Sequence, residues 1–331
     1  MIKWLLRILG VLLAALVILF LIFRTPDTDP EEMRVKYGSA PSQFVAIPSG
    51  VEVHLRDEGP RDGGAIVLLH GSNADLHTWE PWVSELAKTH RVIRFDQVGH
   101  GLTGPDPQGD YSRANFTDDI AEVMDALDLQ SAIIAGNSMG GKHALSFAVA
   151  YPERVEGLVL VDASGPPEQA SEADEEDDSG NIGFALAQTP GVNLLIEQIT
   201  PRSLIRQSLV ESVSVRDVVT EEAVDRYWEL LRYPGNRRAT LARFSVPYEP
   251  IDPADIAAIK ATTLIVWGDE DRLIPVSAGR WLDETMPNSE LAVYEGIGHL
   301  PHEEAPEATL ETLKEWLLNL KETTQEPETT S

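Results

Sequence analysis

Ala132-Ile133-Ile134-Ala135-Gly136-Asn137-Ser138-Met139-Gly140-Gly141 is the stretch on which the fold turns. Four small or apolar residues read as a short buried strand, and the pattern from Lys142 to Val149 reads as a helix. Between them stands Gly136-Asn137-Ser138-Met139-Gly140, a G-x-S-x-G turn. That pattern alone is weak, since chance supplies one in roughly a tenth of chains of this length. Its flanks make it specific. A serine at a sharp strand-to-helix turn is forced into a strained backbone, and glycine on either side avoids the resulting clashes. The turn exposes the hydroxyl, and the helix N-terminus favours negative charge developing beside it. Ser138 is therefore the candidate nucleophile.

Outward from this turn, strands alternate with helices. Val51, Val53 and Leu55 alternate with polar residues, as in a strand with one buried face, and Ala65 to Leu69 is continuously apolar, as in a strand buried on both. Trp79 to Leu86 reads as helix and Val92 to Phe95 as strand. Ser112 reads as the N-cap of a helix through Leu127. Further strands follow at Leu158 to Val161, Thr263 to Trp267 and Leu291 to Tyr294, with a helix from about Pro306 to Leu320. The expectation is an α/β fold with a mostly parallel sheet, helices on both faces and an inserted helical cap. Residues 43–165 and 251–321 form the core in this reading, and 166–250 the cap, where Pro190-Gly191, Thr200-Pro201 and Pro234-Gly235 separate short helical patterns such as Val224 to Leu231. Residues 25–42 read as a tether and 322–331 as a disordered tail. The acidic run from Glu172 to Asp178 at the cap entry reads as a solvated loop.

A serine hydroxyl needs a base, and the base an orienting acid. His299, in Gly296-Ile297-Gly298-His299, follows the last strand, where the chain order Ser, acid, His places a base. His302 is a rival, but Pro301-His302-Glu303 reads as the start of a helix. The acid belongs at a strand end between the two. Trp267-Gly268-Asp269-Glu270-Asp271 offers three carboxylates, of which Asp271 is the choice because the loop must first leave the strand. Asp269 and Glu270 read as solvated or capping groups, and Asp162 is an alternative acid position. Two backbone donors would receive an oxyanion: the N–H of Met139, next to the nucleophile, and that of Ser72, in the loop His70-Gly71-Ser72-Asn73. His70 and His100 read as structural.

The chain has 331 residues, with 54 Asp+Glu against 26 Lys+Arg and a formal net charge of −28. Such a surface repels phosphate backbones, which argues against nucleic acid as a partner. With no cysteine there are no disulfides, thiol nucleophiles or Cys-based zinc sites, and no metal-ligand spacing stands out elsewhere. Ile8 to Phe23 is uninterrupted apolar sequence, extended upstream by Trp4-Leu5-Leu6 past Arg7. Residues 1–24 are long enough to cross a hydrocarbon core of about 30 Å. A cleaved signal peptide would need small residues after the run, and Leu21-Ile22-Phe23-Arg24 has none, so the reading is an uncleaved single-pass anchor. Lys3 and Arg7 precede the span, which orients the rest of the chain outside the cytoplasm.

With these motifs assembled, residues 44–320 resemble a cap-bearing α/β-hydrolase, the superfamily of esterases, lipases and carbon–carbon bond hydrolases. The resemblance rests on HGSN (70–73), DQVGHG (96–101), GNSMGG (136–141), LVLVDASG (158–165), WGDEDRLIP (267–275) and GIGHLPHEEAPE (296–307), in that order. It implies Ser138, Asp271 and His299 as a triad, Ser72 and Met139 as oxyanion donors, and a two-step acyl transfer without metal or organic cofactor. A small-molecule or lipid carboxylic ester is the expected substrate class, with carbon–carbon cleavage of a diketone-like compound as the alternative enzyme reading. A non-catalytic ligand sensor is the contrasting class, and the intact triad argues against it. A serine in the nucleophile position is unlike epoxide hydrolases and haloalkane dehalogenases. Gln97 and Val98 depart from the usual residues before Gly-His-Gly, which bears on the stiffness of that loop. The sequence carries no signal for oligomeric state.

Overall fold

Runs of β-branched and small apolar residues fold here as strands, and the amphipathic stretches between them as helices. The structure, a computed structural model, describes residues 2–165, 197–247 and 249–325. The acidic run 172–178 and the rest of the expected cap entry, residues 166–196, lie outside the described residues. In chain order the elements are α1 (Ile2–Phe23), α2 (Pro30–Tyr37), β1 (Gln43–Ala46), β2 (Glu52–Glu58), β3 (Ala65–Leu69), α3 (Glu80–Leu86), β4 (Arg91–Phe95) and α4 (Arg113–Ala126). There follow β5 (Ala132–Asn137), α5 (Met139–Ala150), β6 (Val155–Val161), α6 (Arg202–Ser212), α7 (Glu221–Leu231), α8 (Asn236–Ser245) and α9 (Pro253–Ala258). The chain closes with β7 (Thr263–Gly268), α10 (Val276–Thr285), β8 (Ser289–Tyr294), α11 (Pro301–Glu304) and α12 (Pro306–Gln325).

The strands form one sheet in the order β1-β2-β4-β3-β5-β6-β7-β8. Pairing from β4 through β8 is parallel, while β1, β2 and β4 pair antiparallel. Alternation along each buried strand then builds two cores. Val67, Leu69, Ile134 and Ile265 meet α4, α5 and α10 on one face. Ile66, Leu68, Ile133 and Val266 meet α3 and α12 on the other. Because successive side chains point to opposite faces, continuous apolar runs are what a sheet covered twice requires. The α/β fold and mostly parallel sheet expected from the sequence are both present.

Residues 25–42 differ from the expected tether. Pro30 starts α2, and the Asp29 side chain caps it by accepting from the N–H groups of Glu31 and Glu32. The segment before α2 is tied to the stretch between β6 and β7: Thr25 N–H donates to the Gln198 carbonyl at 2.9 Å, and Thr28 N–H to the Arg232 carbonyl at 2.9 Å. Arg237 donates to the Thr25 carbonyl at 2.8 Å and pairs with Asp27 at 2.5 Å. A polar, proline-containing stretch reads as a linker because its partners lie some two hundred residues away. At the other end α12 runs to Gln325, past the expected boundary at 321.

α1 is long and apolar enough to cross a membrane. Its window Leu6–Phe23 has a mean hydropathy of 2.9 and none of it is buried against the protein. A signal sequence has the same character.

Candidate active site

β5 is buried along its whole length and ends at Asn137, with α5 beginning at Met139. Ser138 alone makes the turn, at φ 53° and ψ −119°, a conformation that costs an L residue of order 1–3 kcal/mol. Neighbouring groups hold it there. Its N–H donates to the Val161 carbonyl at 3.0 Å, and its own carbonyl accepts from the N–H of Lys142 at 3.2 Å and of Ser164 at 3.0 Å. The flanking glycines are obligatory for reasons of space. A Cβ on Gly136 would lie 2.2 Å from the Gly140 carbonyl oxygen, and one on Gly140 2.2 Å from that of Leu69. Gly136→Ala is therefore expected to destabilise the fold by about 3 kcal/mol or to displace the Ser138 turn. Urea unfolding measures the first, and a loss of active-site labelling at unchanged stability the second.

His299 and Asp271, far apart in sequence, meet directly. His299 Nδ1 and Asp271 Oδ2 are 2.7 Å apart, both residues being buried. The other carboxylate oxygen of Asp271 accepts from the N–H groups of Leu273 at 2.7 Å and Ile274 at 3.0 Å, which fixes the carboxylate plane. Asp269 instead accepts from Gly296 N–H at 2.7 Å, a loop-holding contact. His302 is not a competing base. It is fully buried, stacked on Trp79 with ring centroids 4.4 Å apart, and bonded through Nε2 to Thr78 Oγ1 at 3.0 Å. Burial and the neighbouring His299 push its pKa down to about 3.

Asp162, at the end of β6, stands beside this pair. One donor atom from each of Asp162, Asp271 and His299 lies within 4.8 Å of the others. Asp162 Oδ1 accepts from the Gly268 N–H at 3.1 Å. Burial, and next the Asp271 carboxylate, push its carboxyl well above the usual carboxylate range. This trio is also the group that could hold a cation among the described residues. The short His299–Asp271 bond already uses a ring nitrogen and a carboxylate oxygen from it, an arrangement suited to proton handling.

Two positioning residues escaped the sequence reading. Asn137 Nδ2 donates to the carbonyls of Val161 at 3.1 Å and His299 at 3.2 Å, tying the Ser138 turn to the histidine loop. Glu304 accepts from the N–H groups of Ser214, Val215, Gly298 and Leu300 at 2.8–3.1 Å, joining the histidine loop to the segment after α6. Asn137 lay inside a recognised motif, and Glu304 in HEEAPE, but neither role has a spacing signature.

The loop after β3 comes up against Ser138. A Cβ on Gly71 would stand 3.2 Å from Ser138 Cβ. Ser72 and Met139 are bridged by Arg243 on α8, whose Nη1 lies 3.0 Å from Ser72 Oγ and 3.1 Å from Met139 Sδ. The loop is braced from beneath. His70 is fully buried, donates through Nδ1 to the Gly71 carbonyl at 2.8 Å, and accepts at Nε2 from Gln97 N–H at 3.0 Å. Gln97 Nε2 donates to the His70 carbonyl at 2.7 Å, and its Oε1 faces His143 Nδ1 at 2.6 Å. Gln97, read as a change of loop stiffness, is thus a three-way brace. His100 packs edge-on against His70, with burial holding its imidazole neutral, as a structural residue would.

The family model of the alpha/beta hydrolase fold matches residues 64–306 of this chain. A 2-hydroxymuconate semialdehyde hydrolase from Pseudomonas sp. (strain CF600) is 28% identical over 262 residues, covering 76% of this chain and 86% of the relative. Among solved structures, a meta-cleavage product hydrolase from Pseudomonas fluorescens IP01 superposes with a TM-score of 0.70 at 27% identity, over 84% of this chain and 97% of that one. A bacterial membrane phospholipase A shares the fold at 21% identity, with a TM-score of 0.70 over 97% of this chain and 99% of that one.

Proposed function

The chain belongs to the alpha/beta hydrolase fold family, and from that premise we propose that it is a serine hydrolase with Ser138 as nucleophile, His299 as base and Asp271 as the acid orienting that base. The observation that carries this reading is the 2.7 Å contact between His299 Nδ1 and Asp271 Oδ2, with the same histidine loop bonded through Asn137 to the strained serine turn. A carboxylate on Nδ1 leaves Nε2 as the proton-accepting nitrogen. Ser138 Oγ attacks a carbonyl carbon while His299 takes its proton. The Met139 and Ser72 N–H groups receive the oxyanion. The bond to the leaving fragment then breaks, its electron pair departs with that fragment, and His299 returns the proton. Water activated by the same base releases the acid from the acyl-enzyme.

The semialdehyde hydrolase and the meta-cleavage product hydrolase named above favour a carbon–carbon bond next to a carbonyl, in a diketone-like acid, over the carboxylic ester that the sequence placed first, while the phospholipase shares only the fold. The ester reading, extended to membrane lipids, is supported by one feature of this chain: the apolar α1 leads into a segment bonded to the cap side of the molecule. In that reading α1 anchors the protein, with the rest of the chain outside the cytoplasm. Full-length protein in detergent, offered 2-hydroxy-6-oxo-6-phenylhexa-2,4-dienoate and p-nitrophenyl butyrate in parallel, separates the two bond types. Turnover of the dienoate at a kcat/KM at least about tenfold above the ester favours the first. Failure of both, together with no fluorophosphonate labelling of Ser138, removes the catalytic reading. A phosphatase reporter fused after Ser331 and active only outside the cytoplasm tests the orientation.

A further inference from the structure

Arg243 is a cation with no carboxylate paired to it among the described residues. Its Nη1 contacts Ser72 Oγ and Met139 Sδ, and its Nη2 contacts Asn73 Oδ1 at 3.1 Å and Thr240 Oγ1 at 3.3 Å. All four partners are neutral, and among the described residues Nε is buried without a hydrogen-bond partner. Among the described residues no carboxylate pairs with it. The other cap arginines on these helices differ: Arg226 pairs with the buried Asp75 at 3.1 Å, Arg237 with Asp27, and Arg238 with Glu197. Burial pushes the Arg243 guanidinium down to about 10, so it remains charged at neutral pH. The imidazoles beside it, His70, His100 and His143, are all held toward their neutral forms, first by burial and also by this charge.

A guanidinium presents five N–H donors in a planar fork that matches a two-oxygen anion, and a desolvated charge without a counter-ion is costly. Here that fork touches the residues carrying both expected oxyanion donors. On a chain of net charge −28, most of the surface repels anions, and a guanidinium in contact with Ser72 and with Met139, the residue after Ser138, offers an anionic group a favourable partner there. We propose that Arg243 is a substrate-binding residue for an anionic group, a carboxylate or a phosphodiester, carried by the molecule whose carbonyl Ser138 attacks. This deepens the serine-hydrolase reading and rests on it.

The test measures binding without turnover, so it can fail independently of catalysis. Full-length Ser138→Ala protein in detergent is titrated calorimetrically with two matched pairs below their micellar concentrations. Monomethyl adipate is compared with methyl hexanoate, and dihexanoylphosphatidylglycerol with dihexanoylglycerol. At least one anion is expected to bind about tenfold or more tightly than its neutral partner, the scale of a charge-assisted hydrogen bond. The pair that shows the preference identifies the source of the anion. Adding Arg243→Met should erase the preference, and Arg243→Lys should keep part of it. Equal binding of anionic and neutral ligands overturns the proposal, as does a preference that survives Arg243→Met. If the Met variant does not fold, the comparison in the Ser138→Ala protein alone decides. Fluorophosphonate labelling of Ser138 in the unaltered protein tests the catalytic reading separately.

Discussion

Ser138→Ala is expected to lower kcat by about five to six orders of magnitude on whichever substrate the protein turns over, with KM within a few-fold. The size follows from what the residue supplies. Without Oγ there is no acyl-enzyme, and the remaining rate comes only from binding and oxyanion stabilisation, a residual of about 10³–10⁴ over water. The change is well suited to the site because it removes one atom and keeps the backbone. The φ of 53° is held by hydrogen bonds from Ser138 N–H to Val161 and from Lys142 and Ser164 to the Ser138 carbonyl, none of which needs the hydroxyl. Stability should therefore be unchanged within about 0.5–1 kcal/mol. Steady-state kinetics beside a urea melt checks both parts. A loss of less than about a hundredfold would mean that another group performs the attack.

Asp271→Asn is the second large effect, with an expected loss of about 10⁴ in kcat. The asparagine amide would present N–H donors toward His299 Nδ1, where the carboxylate now accepts at 2.7 Å. That favours the tautomer with its proton on Nε2, the nitrogen that must take the proton from Ser138. Asp162 makes this variant informative. It lies in the same cluster, and its carboxyl is held toward the neutral form by burial and by the Asp271 charge. A neutral carboxyl cannot stabilise an imidazolium as a carboxylate does, so Asp162→Asn is expected to cost no more than about tenfold. The reverse ranking, a small loss at Asp271 and a large one at Asp162, would move the acid to the end of β6. Removing both separates a shared role from an exclusive one, since coupled residues give non-additive losses.

Much of this architecture was legible because its determinants are local. The serine turn is written in six consecutive residues, GNSMGG, since the clashes that demand glycine come from atoms within a few residues or from the adjacent strand. The continuous apolar runs of β3 and β5 announced burial on both faces, and the structure packs each run alternately into the two cores. His299 could be preferred over His302 from its glycine-rich loop, and the aromatic packing of His302 gives the physical basis for that preference. The segment 25–42 went the other way. Its composition is that of a linker, while its hydrogen bonds reach residues 198–237.

Taken by itself, the sequence determined the α/β class, the order of strands and helices, the strained position of Ser138 and the apolar character of residues 8–23. These follow from periodicity, steric limits and transfer free energy, which act over short stretches of chain. Only the tertiary structure decided that Asp271 rather than Asp269 meets His299, that Asn137 and Glu304 lock the histidine loop, and that Arg243 reaches Ser72 and Met139 with no carboxylate paired to it among the described residues. Apart from the short-range bonds of Glu304 to Gly298 and Leu300, those relations join residues 28 to 171 positions apart. Hydrogen bonds and charge pairs depend on ångström-scale distances that the packing of whole elements sets, and no local pattern encodes them.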